Sequence, residues 1–152
     1  MSASDVIFVI IDVFLLTLFG TALSSCVNFF LSTNGQASAV GTIISAGYGF
    51  ICGAYMPIAS FGEGLQKVLS FLPGTYGTCL IKVHMMRGVF DEMENIGFHA
   101  EVMKGIKDSV DYNLYFFGAD VSVPAMFAVL ACSVAAFTGL FVLFNVMKKK
   151  TK

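Results

Sequence analysis

Charge is what this chain of 152 residues has least of: only 12% of its positions are Asp, Glu, Lys or Arg. A soluble domain of this size carries about 25% charged residues. The formal net charge is −1 and no Lys- or Arg-rich run is interleaved with aromatics, so neither composition nor patterning offers a nucleic-acid surface. The four cysteines, Cys26, Cys52, Cys79 and Cys132, stand far apart in apolar segments and form no C-x-x-C pair, which excludes a redox or metal motif of that type and reads them as small buried hydrophobes. His84 and His99 are 15 positions apart with no Cys or His at ligand spacing, and read as ordinary surface histidines with no metal or cofactor. There is no Ser-His-Asp logic, Walker lysine or glycine-rich phosphate loop, so no catalytic residue and no enzyme activity is expected. No internal repeat is visible.

Apolar residues are abundant instead: 57% of the chain is hydrophobic and the mean hydropathy is +0.81. That much apolar area in water drives association, so much of it has to face lipid. Three runs, residues 5–31, 37–58 and 121–147, meet the roughly 20 residues that a helix needs to cross a hydrocarbon core. Backbone groups in lipid must satisfy one another, so these runs are predicted helices. The first run is no signal peptide: it lacks a basic flank, it is too long, and no small-residue cleavage site follows.

Residues 148–152 carry four lysines and no acid, whereas residues 61–120 hold five basic residues against eight acidic ones. Basic residues beside the membrane stay inside, so the tail is expected in the cytoplasm and residues 61–120 outside. The loop 32–36 is then cytoplasmic and the first helix begins outside.

Residues 68–83 are apolar but short, and Pro73-Gly74 and Gly77 interrupt them. A re-entrant segment over residues 61–88 fits this, with its turn at Pro73-Gly74; an interfacial amphipathic helix is the competing reading. In the external loop 89–120, Phe98, Val102, Ile106 and Val110 recur every fourth residue and predict one short external helix, with Lys104 and Asp108 on its wet side. The expected fold is all-α and integral to the membrane, in one domain: three spans, a re-entrant hairpin and a short external helix.

Asp12 lies inside the first run, where a carboxylate costs a few kcal/mol by the lenient scale, about 3. Either it faces protein or a watery cleft, or it sits near enough to the outer edge to be hydrated. Ser45, Gly49 and Gly53 form a small-residue stripe suited to close helix approach, and Pro57 marks the exit from the second helix. Tyr48, Phe50 and the phenylalanines of the first run either line an apolar path or face lipid and packing partners.

The stretch GTIISAGYGFICGAYMPI at residues 41–58 continues through FGEGLQK at 61–67, FLPGTYG at 71–77 and HMMRG at 84–88. This succession resembles the C-terminal half of bacterial ABC transporter permeases of the type-2 exporter family, and the resemblance covers the chain from Asp5 to the lysines. It implies that the three spans are the family's fourth, fifth and sixth helices, with three earlier helices and the main coupling helix preceding them. It implies a bacterial plasma-membrane location, a separate ATP-binding subunit that hydrolyses ATP, a second permease copy or homologue, and lipid around all of them. Gly49, Gly53, Pro57, Pro73, Gly74 and Tyr76 become candidates for the outer gate or its packing. A small non-transporting membrane subunit that binds and regulates a partner is the alternative; a self-assembling pore of the holin kind is a third.

Overall fold

The computed structural model describes residues 3–150. Thr151 and Lys152, the end of the lysine tail, lie outside the described residues. Among the described residues there are six α-helices and one two-stranded hairpin.

Helix α1 spans Ala3–Asn28. Its hydroxyls are absorbed by its own backbone: Thr17, Thr21 and Ser25 each donate to the carbonyl four residues earlier, at 2.7, 2.8 and 2.8 Å. Such back-bonding leaves no bare donor on an apolar surface. Helix α6 spans Val123–Lys150. At about 1.5 Å per residue both exceed the thickness of a hydrocarbon core. These two helices are long and apolar enough to cross a membrane, and only 17% of the apolar window in α1 and 6% of that in α6 is buried. Phe14 and Ile10, each 63% exposed, and Val142 and Leu143, above 50%, therefore need a medium other than water. Two such helices are compatible with a membrane protein.

Helix α2 spans Asn34–Ile51. Thr33 caps it, accepting from the N–H of Gln36, while Gln36 accepts from the N–H of Ser32 in return. The second run was expected to continue to residue 58. The helix stops seven residues short, because Gly53 adopts a left-handed φ of +80° just past the Cys52 cap. A 3-10 turn, Ile58–Ser60, then follows Pro57. With Asn34, Gln36 and four glycines, α2 is less apolar than α1 and α6, and none of its residues is buried.

The segment expected as a re-entrant hairpin is a short helix α3, Glu63–Leu69, followed by α4, Pro73–Asn95. Pro73-Gly74 is therefore not a turn between two arms. Pro73 occupies the first turn of α4, where its missing N–H has no intrahelical partner to lose. Helix α4 runs unbroken for 23 residues, past the expected boundary at residue 88.

A helix is present in the stretch where one was expected, as α5, Ala100–Ser109, but it buries another face. Met103 is its buried residue, while Phe98 and Val102 are 46% and 51% exposed. Strands β1 (Tyr115–Phe116) and β2 (Ala119–Asp120) pair antiparallel across a turn in which Phe117 and Gly118 have φ of 51° and 87°. Two left-handed residues in sequence are what a tight hairpin turn demands.

The core lies where α1, α4 and α6 meet, around Phe19, Leu80, Met126 and Leu130. The contacts fix the directions. Gly77 lies against Leu16, and His84 and Arg87 reach Asp12 and Asp5, so α4 is antiparallel to α1. Phe19 meets Phe137 and Phe29 meets Phe144, so α6 runs parallel to α1. Asn28 and Lys148 thus share one end of the bundle, with the Lys148 ammonium 5.1 Å over the Phe29 ring.

Candidate functional site

Helices α2 and α4 follow one another along α1. Helix α2 turns back from Asn28 through a short loop, and by Tyr48 it has reached Phe19, with the ring centroids 6.2 Å apart. There α4 begins. The N–H of Gly74 donates to the Tyr48 hydroxyl at 3.3 Å, and the Thr78 hydroxyl donates to the Cys52 carbonyl. The end of one helix therefore abuts the start of the next beside the middle of α1, and residues 53–72 leave and rejoin this joint from the side. Abutment depends on Gly74: a Cβ there would stand 2.5 Å from Tyr48 Cε1 and 2.9 Å from Cys52 Sγ.

Six of the residues singled out from sequence collect around this joint. Gly49 sits under the ring of Tyr55, and Gly53 against Ile58 and Asp111. Pro57 opens the 3-10 turn, and Pro73 and Gly74 open α4. The buried Tyr76 donates its phenol to the Ser70 carbonyl at 2.6 Å, which ties α4 back to the end of α3. Thr75 does the same to Leu69 at 2.9 Å.

Asp111, which sequence reading passed over, fastens the side segment. Its carboxylate accepts from the N–H groups of Ile58 at 2.7 Å and Ala59 at 3.0 Å and pairs with Lys82 at 2.9 Å. It does so from a left-handed φ of 56°, a conformation Asp tolerates better than most residues. Cys79 adds a thiol contact to the Asp111 carbonyl at 3.2 Å. One residue beyond α5 thereby joins the exit from α2, the 3-10 turn and α4.

Asp12 is apart from this cluster, fully buried between α1, α4 and α6. Of the readings left open from sequence, the structure selects a carboxylate facing protein. Its partner is His84, with Nδ1 2.6 Å from Oδ2. His84 is therefore no surface histidine: it is 5% exposed, with its ring stacked on Phe8 at 5.0 Å and beside Phe127 at 5.9 Å. The signal was present in the sequence, since an acid in an apolar run needs a partner. Nothing local, however, pointed 72 residues ahead.

Between α1 and α2 lies a cavity of about 490 Å³, lined by Gly20, Ser24, Val27, Gly41, Ser45 and Gly49 among others. Ser45 and Gly49 of the small-residue stripe thus border a groove between α1 and α2, while Gly53 lies outside it. Phe50 is 53% exposed and lines no buried path. Of the cysteines, Cys26, Cys52 and Cys79 are buried as expected, while Cys132 is exposed.

No protein-family model, curated protein or solved structure matches the chain.

Proposed function

We propose that this chain is the C-terminal part of a membrane permease from an ATP-driven exporter of the type-2 family. In this reading α1 and α6 each cross the bilayer, and α2 with α4 makes the third crossing in two pieces. The observation that carries it is the α2–α4 joint at Gly74. Non-helical backbone at membrane depth is tolerated only where protein or a water-filled cavity surrounds it, and broken helices of this kind are a recurring device for building substrate paths. The groove beside the joint has room for part of such a path, and the segment held by Asp111 forms the outer gate.

The cytoplasmic side is the end that carries Asn28 and Lys148, by the rule that basic residues stay inside. The membrane is the bacterial plasma membrane. ATP hydrolysis belongs to a separate subunit that acts on a permease dimer. Its closure does work only through contacts that differ between inward and outward states.

Affinity purification of the full chain from bacterial membranes in mild detergent tests this. A Walker-motif ATPase recovered in stoichiometric amount is the expected result. Another membrane protein in its place favours a regulatory subunit, and a homo-oligomer alone favours a pore; either result overturns the exporter reading.

A further inference from the structure

The buried pair at the heart of the bundle has no part in the gate described above, and its geometry is incomplete in one respect. Asp12 is 0% exposed, yet its second oxygen, Oδ1, has no hydrogen-bond partner among the described residues. Buried polar atoms are paired in more than about 90% of cases, so an orphan on a carboxylate marks a position that something else fills. We infer that Asp12 and His84 form a proton-binding site between α1, α4 and α6, with Oδ1 of Asp12 as the atom that takes up and returns the proton.

Four features support a proton in particular. The 2.6 Å contact with His84 Nδ1 engages Oδ2 and so leaves Oδ1 as the open oxygen. The walls include Phe8 and Phe127, and Asp12 between them is 0% exposed, so a carboxylate charge held there is costly unless neutralised. Among the described residues no three His, Cys, Asp or Glu groups converge as a metal ion needs. An exposed ionisable group also stands nearby: Arg87, one turn along α4 from His84, is 55% exposed in its side chain and lies 3.9 Å from Asp5 on α1. The remaining ionisable groups on this side are few. On α1 there is Asp5, on α4 Arg87 and Asp91, and beyond α5 Tyr112, whose phenol is influenced by all three. Lys82 and Cys79 turn away towards Asp111, and the part of α6 that packs here carries no ionisable group.

In the step itself one O–H bond of a hydronium ion breaks and one O–H bond forms at Oδ1, leaving a water molecule. No electron moves, and the bundle loses a buried negative charge. Since α4 is held to α1 and α6 across this pair, proton occupancy biases how tightly α4 packs. The pair titrates as a unit, and its apparent midpoint belongs to neither residue alone. The inference stands whether or not an ATP-binding subunit associates, because it concerns only these three helices.

Proton uptake by the full chain in lipid nanodiscs, followed with an indicator dye in weak buffer from about pH 8 to about pH 5, tests it in the window where histidine chemistry operates. Asp12→Asn is expected to take up one proton fewer than the native chain. His84→Gln is expected to keep the step but move its midpoint by at least about one pH unit, tenfold in proton affinity. Infrared difference spectra of the native chain, labelled with ¹³C-aspartate, give a readout that needs no variant to fold: acidification is expected to raise a band of a buried, protonated carboxyl. Equal uptake by the native chain and Asp12→Asn, or no such band, overturns the inference. So does a response to Na⁺ at fixed pH without one to pH.

Discussion

Gly74 and Tyr48 are joined by one hydrogen bond, 3.3 Å from backbone N–H to phenol oxygen, and across it the last turn of α2 meets the first turn of α4. The contact is close because Gly74 has no side chain. Gly74→Ala puts a methyl group 2.5 Å from the Tyr48 ring, and ring or helix must move. Overpacking of this kind costs about 1–3 kcal/mol. Gly105→Ala is the control: it lies in α5 with nothing within 4 Å, and there alanine stabilises a helix by up to about 1 kcal/mol. Thermal unfolding in detergent is expected to move down for the first variant and stay level or rise for the second. Equal transitions would remove the joint as a point of close approach.

Asp111 is the other fixed point. Asp111→Ala leaves the N–H of Ile58 and the ammonium of Lys82 without their acceptor, and alanine is strained at a φ of 56°. Hydrogen bonds to a charged acceptor are each worth about 1.5–3 kcal/mol, and Lys82 is partly exposed, so a total loss of about 2–4 kcal/mol is expected. Asp111→Asn keeps an acceptor oxygen and tolerates the left-handed backbone, and is expected to lose less. A double-mutant cycle with Lys82→Met isolates the ion pair. Additive losses would mean that Lys82 and Asp111 act independently.

The parts of this fold that could be read from sequence are its two long apolar helices. Residues 5–31 and 121–147 announce α1 and α6 because crossing a bilayer needs an apolar run of about 20 residues and little else. The end of α2 escaped because it rests on one backbone angle, that of Gly53, inside a run that stays apolar to Ile58. The turn at Pro73-Gly74 was misread for the opposite reason: proline breaks a helix interior but suits a helix start, and composition does not say which applies. His84 read as a surface histidine because no Cys or His stands at ligand spacing from it. Along α4 Arg87 shares a face with His84 and Lys82 points away from both, so only the placement of α4 between α1 and α6 decides that His84 is dry. Asp111 has no local signature, since its partners lie 29 and 53 residues away.

At the β1–β2 hairpin, Tyr115 donates its phenol to Asp108 at 3.0 Å. Burial first, then the hydrogen bond to Asp108 and that carboxylate's charge, push the Tyr115 phenol above its ordinary value. A phenol raised in the folded state favours folding at pH below its unfolded value, and that contribution is lost as pH rises through the folded one. Asp108→Asn removes the negative charge, so tyrosinate absorbance is expected to appear at lower pH than in the native chain. An unchanged ultraviolet titration would show that Asp108 does not govern this phenol.

Sidedness carries the most weight for the exporter reading and is the easiest to test. Asn95 ends α4 at the far end of the bundle from Lys148, and it is exposed. Ser32 lies in the loop between α1 and α2, at the lysine end, and is exposed too. Cys132 is the one exposed native thiol among the described residues, so Cys132→Ser leaves a quiet background. On that background Asn95→Cys is expected to react with an impermeant maleimide on intact cells, and Ser32→Cys only after permeabilisation. The reverse pattern would turn the bundle over, put the Asp111-held segment in the cytoplasm, and leave no outer gate for an exporter to open.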